Sequence, residues 1–141
     1  MTSIVLSAAV AATPAMASSE WPQAEVDKAV EIVKAKVDYL TDCVRDSGTE
    51  VAYTTSQLDL NKDGVNEVFV RLGVAEFGKY ATLCFGRSST ELHMLSHDPE
   101  TGWRHQFGGD MAEPVYHKSE TDWPDVEMAG AGFCFPIERY H

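Results

Sequence analysis

The hydrophobic period of this chain changes once, at Gly48, and that change limits the folds open to it. Before Gly48, Val26, Val30, Val33, Val37, Leu40 and Val44 recur at spacings of three and four. Such spacing places them on one stripe of an α-helix. It predicts a single amphipathic helix over residues 22–46. Pro22 suits the first turn, Glu25 and Asp27 suit the positive end of the dipole, and Arg45 the negative end. Most of the stripe is valine, a weak helix former, so the helix needs a surface to pack on.

After Gly48 the period is two. Val51 and Tyr53, then Val68, Val70 and Leu72, then Ala81, Leu83 and Phe85 alternate with their neighbours. Residues 90–97 and 103–107 flank Asp98-Pro99-Glu100-Thr101-Gly102, a turn of hairpin length. Further extended pieces are expected at 114–117, 125–129 and 133–140. The fold class that follows is α+β: one long N-terminal helix on a curved antiparallel sheet of five to seven strands spanning residues 50–140.

Ahead of this domain, Ile4 to Ala12 form a short apolar run. Pro14 follows, then Ala15-Met16-Ala17, which fits a signal-peptidase site before Ser18. Residues 1–17 therefore read as a signal peptide and 18–141 as one domain, periplasmic or secreted from a bacterium. The apolar run is about half of the roughly 20 residues a membrane span requires, so no membrane span is expected. Export to an oxidising compartment lets two of Cys43, Cys84 and Cys134 pair, in any of their combinations. The net charge of −11 opposes nucleic acid as a partner.

The most specific motif is Asp59-Leu60-Asn61-Lys62-Asp63-Gly64-Val65-Asn66-Glu67. Oxygen-bearing side chains stand at Asp59, Asn61, Asp63 and Glu67, with the Val65 carbonyl between them and Gly64 free to bend. Hard oxygen donors at this spacing suit Ca²⁺. Loop position twelve of an EF-hand would be Val70, not a glutamate, and strands rather than helices flank the loop. The motif, followed by alternating apolar residues, resembles the calcium loop of FG-GAP/VCBS-type repeats. It is similar to the single-copy form found in small exported bacterial proteins. Trp103, Pro124-Asp125-Val126 and Tyr140 match later features of that pattern. The resemblance implies Asp59, Asn61, Asp63, Val65 and Glu67 as the calcium positions.

Two weaker constellations remain. With the hairpin closed at 98–102, His97 lies opposite Trp103 and Leu95 opposite His105. His93, His97 and His105 would then share one face with Leu95, Trp103 and Phe107, a nitrogen-donor set for zinc or a related metal. Residues 108–127 hold six acids against Lys118 alone, with Tyr116 and Trp123 among them. Asp110, Glu113, Tyr116, Glu120, Asp122 and Trp123 are the candidate surface for a basic protein partner, with charge speeding encounter and aromatics anchoring it.

The motifs of serine hydrolases, zinc peptidases and phosphate-binding loops are absent from the sequence. The leading expectation is thus a non-enzymatic periplasmic binding protein, an inhibitor or immunity protein against a cell-wall-directed enzyme or toxin. The alternatives are a calcium-stabilised module of the cell envelope and a metal-dependent enzyme built on His93, His97 and His105.

Overall fold

The computed structural model describes residues 19–75, 81–85, 90–110, 113–129 and 137–138. The expected signal peptide, Cys134 and Tyr140 lie outside these residues. Pro22 opens helix α1, Gln23–Lys36. Val37 then leaves helical geometry at φ −107° and ψ 25°, and helix α2 runs over Asp38–Asp46. The single long helix expected from the stripe is therefore two short ones. The stripe itself is intact, since Val26, Val30, Val33, Val37, Leu40 and Val44 are all buried. Periodicity registers which side chains are buried, and Val37 stays buried while its backbone turns. Its carbonyl accepts the Leu40 N–H at 2.9 Å, a tightened turn that lets the axis change direction.

Four antiparallel strands follow in meander order: β1 Val51–Leu58, β2 Glu67–Val74, β3 Glu91–Asp98 and β4 Gly102–Asp110. A second, three-stranded antiparallel sheet holds β5 Glu113–His117, β6 Asp125–Ala129 and β7 Ile137–Glu138. One continuous sheet of five to seven strands is thus replaced by two. The acidic, glycine- and proline-bearing stretch after Phe107 marks where the chain leaves the first sheet. A run of strand-length segments does not encode which edges join.

The helices cover one face of the first sheet. Val26, Val33, Val37, Leu40 and Val44 meet Val68, Val70, Leu72 and Leu95 there. The opposite face is dry as well: Phe69, Leu92, Met94 and Phe107 pack with Val126 of β6, flanked by Leu60 and Trp123. The first sheet is thus sandwiched between the helices and the second sheet, which explains why Val68, Phe69 and Val70 are buried without a break.

The expected strand around Ala81, Leu83 and Phe85 is a 3-10 helix, Ala81–Cys84. Phe85 is buried in the helix-side core, and Leu83 is exposed. Cys84 is bonded to Cys43 of α2, with Cα atoms 5.8 Å apart. The disulfide and the buried Phe85 tie this turn to α2 instead of a strand edge. The pairing left open by the sequence is therefore Cys43–Cys84, which accords with an oxidising compartment. Among the described residues no helix is long and apolar enough to cross a membrane.

Candidate metal centre and the cleft beside it

The loop between β1 and β2 is shaped by its own carboxylates. Asp59 Oδ2 accepts the Gly64 N–H at 2.8 Å and Asp59 Oδ1 the Asp63 N–H at 3.2 Å. Asp63 Oδ1 accepts the Val65 N–H at 2.8 Å, and Asn61 Nδ2 donates to Asp63 Oδ2 at 3.2 Å. Folding the loop so tightly requires left-handed backbone at Lys62, φ 58°, and Gly64, φ 88°. Glycine takes that conformation without Cβ strain. Asp59, Asp63 and Glu67 each bring one carboxylate oxygen into a group whose members all lie within 4.8 Å of one another.

The far end of the loop is pinned from the N-terminal side. Ser19 forms an isolated parallel bridge with Val65. The Trp21 indole N–H donates to the Asn66 carbonyl at 2.9 Å, and Gln57 is bonded to both the N–H and the carbonyl of Trp21.

Glu67 differs from the other two acids because it is only 2% exposed. Burial pushes its carboxyl up to about 7; the Leu60 N–H bond, 2.6 Å, opposes this, and Asp63 and Asp59 add to the rise. A desolvated carboxylate facing two more is costly unless a cation joins them. The donors are all oxygen, in keeping with a hard divalent ion. Of the five sequence-predicted positions, three converge as carboxylates. Asn61 sits within the same turn through its bonds to Asp63, and the Val65 N–H donates to the Asp63 carboxylate.

A cleft of about 390 Å³ opens where β5 overhangs β1 and β2. Thr54, Ser56, Phe69, Arg71, Glu113 and Tyr116 are among its lining. Arg71 Nη2 lies 3.5 Å from the Glu113 carboxylate, joining the two sheets across it. The Tyr116 hydroxyl is pushed up to about 12, chiefly by burial, then by Glu113 and by Glu67 of the loop. The acidic loop and the cleft are thus electrostatically adjacent.

The six acidic-segment residues are distributed over several surroundings. Glu113 and Tyr116 line the cleft, and Glu120 and Asp122 are exposed between β5 and β6. Asp110 closes β4 opposite Glu91. Trp123 is partly buried against the Phe69–Val126 core.

The hairpin register is as the spacing predicted, His97 opposite Trp103 and Leu95 opposite His105. The expected shared face loses Phe107 alone. A bulge shifts the register between Met94 and Leu95, so that Met94 pairs with Phe107 and Gln106 is extra. Phe107 therefore joins the core on the opposite face. His97 stacks in a ring cluster with Trp21 and Trp103, centroids 4.6 Å and 5.0 Å away. The three imidazoles thus divide, with His97 in the stack and His93 beside His105.

His93 Nδ1 lies 2.8 Å from His105 Nε2, and His93 Nε2 lies 2.9 Å from Glu91 Oε1. The Tyr39 hydroxyl donates to the same Glu91 oxygen at 3.3 Å. His93 is 4% exposed and Glu91 8%. Burial, helped by His93 and Lys36, lowers His105 to about 4, so it is neutral at pH 7. Sequence reasoning missed Glu91 and Tyr39. Glu91 was within reach of it, because two residues before His93 in a strand is the same face. Comparisons with family models, with curated proteins and with solved structures find no match to this chain.

Proposed function

We propose that this chain is an exported, calcium-stabilised binding domain that presents its inter-sheet cleft to a basic protein partner. The observation that carries the reading is the convergence of Asp59, Asp63 and Glu67 on one point, with Glu67 buried there. A divalent ion at that point offsets the mutual repulsion of three carboxylates and holds the ends of β1 and β2 together. Ca²⁺ is the ion of choice because the donors are oxygen and this ion accepts variable coordination geometry. The Cys43–Cys84 bond supports export into an oxidising compartment, the bacterial periplasm or exterior.

The cleft adjoins this loop and carries one aromatic anchor, Tyr116, beside Glu113. Net charge of −11 steers a cationic partner toward it. An inhibitor or immunity role against a basic cell-wall hydrolase or toxin fits that surface. The test has two arms. Titration calorimetry of CaCl₂ into metal-stripped protein should give one site, lost in Asp63→Ala. No heat at millimolar calcium overturns the calcium reading. Binding of the calcium-loaded chain to a basic muramidase should weaken with salt and weaken further in Tyr116→Ala with Glu113→Lys. Failure to bind the hydrolase, or unchanged affinity in the double variant, overturns the inhibitor reading of the cleft.

A further inference from the structure

We propose a second ion site on the helix-covered face of the first sheet, in which His93 Nδ1 and His105 Nε2 take a borderline transition metal such as Zn²⁺. It is independent of the calcium loop and of the partner reading.

The geometry begins with Glu91. Its carboxylate accepts the Tyr39 hydroxyl at 3.3 Å and faces His93 Nε2 at 2.9 Å. A carboxylate in that position holds the proton on Nε2 and leaves the Nδ1 lone pair of His93 directed at His105, 2.8 Å away. A carboxylate behind one imidazole nitrogen, with the other nitrogen free to bind, is the arrangement that orients histidine ligands and raises their basicity.

Two further features support this. Gly108, the cross-strand partner of His93, has no side chain, and a Cβ built there would lie 1.9 Å from His93 Nδ1. Only glycine leaves the ring this position. The bulge at Gln106 also resets the register that brings His105 beside His93. The two proposed sites separate by donor chemistry: oxygen in the loop for a hard cation, nitrogen here for a softer one.

Zn–N bonds of about 2.0–2.1 Å in tetrahedral geometry set two nitrogens about 3.3 Å apart. The pair needs to open by roughly 0.5 Å, which half-buried His105 can supply by side-chain rotation. The proton that His105 Nε2 shares with His93 moves to His105 Nδ1 through solvent. Both rings stay neutral, no proton is lost overall, and water completes the coordination.

The test uses the full chain saturated with Ca²⁺ and titrated with ZnCl₂. Anomalous diffraction at the zinc edge should place the ion between His93 and His105. His105→Ala should weaken zinc binding at least tenfold while its circular dichroism spectrum stays that of the unaltered chain, which certifies folding. His117→Ala, at the exposed pair with Glu127, should leave zinc affinity unchanged. In the unaltered protein, ¹⁵N shifts of His93 Nδ1 and His105 Nε2 should both move on zinc addition. An anomalous peak elsewhere, equal affinity in His105→Ala, or unmoved ¹⁵N shifts overturns the proposal.

Discussion

Replacing Glu67 with Gln gives the sharpest energetic test, because its effect depends on whether calcium is present. Glu67 is raised from 4.5 to about 7. A group whose folded value is raised binds its proton more tightly in the folded chain. It therefore costs nothing below pH 4.5, and the cost grows as pH rises through about 7. At pH 7.5 that cost is on the order of 3 kcal/mol. Gln has the same shape and keeps an oxygen for the Leu60 N–H, now 2.6 Å from Glu67 Oε2. In EDTA at pH 7.5 Glu67→Gln should thus be more stable than the wild type by about 2–3 kcal/mol. Calcium at a hundredfold excess over its dissociation constant adds about 2.7 kcal/mol to the wild type. The variant, lacking the ligand, should gain little, so the gap closes. Urea unfolding in EDTA and in calcium measures all four quantities. A variant less stable than wild type in EDTA refutes the argument that Glu67 is held at a cost for the ion.

Four other outcomes follow from the same geometry. The Cys43–Cys84 bond closes a sequence separation of 41 residues, so Cys43→Ala with Cys84→Ala should cost about 4 kcal/mol in urea unfolding. Gly108→Ala drives a Cβ into the His93 ring and should lower stability by about 1–3 kcal/mol in thermal unfolding. Leu40→Ala, in a side chain 1% exposed between α2 and the sheet, should cost about 2–5 kcal/mol by the same assay. His105, lowered to about 4, binds protons less readily folded than unfolded. It should therefore remove stability as pH falls from 6.5 toward 4, and a His105→Asn variant should show a shallower decline over that window.

The helix stripe was legible because burial of Val26 through Val44 imposes a period whether or not the backbone runs straight. The turn at Val37 left no trace, since a buried valine looks the same inside a helix and between two. The 98–102 hairpin and its register were readable from turn residues and alternation. The bulge at Gln106 was not, and it sends Phe107 to the other face. Alternation also misread Ala81 to Phe85, where a disulfide rather than strand pairing positions the chain. The division into two sheets depends on long-range edges, which local periodicity does not encode. The acidic loop was the most legible part of the candidate sites because its carboxylates lie within nine consecutive residues. The Tyr39–Glu91–His93–His105 row was only half visible, as its members come from three elements.

The most direct measurement of the calcium claim is a crystal structure grown in CaCl₂, with anomalous data collected at long wavelength. One calcium is expected within about 2.3–2.6 Å of oxygens from Asp59, Asp63 and Glu67. A loop without anomalous signal, or a Glu67 carboxylate turned away from Asp59 and Asp63, contradicts it.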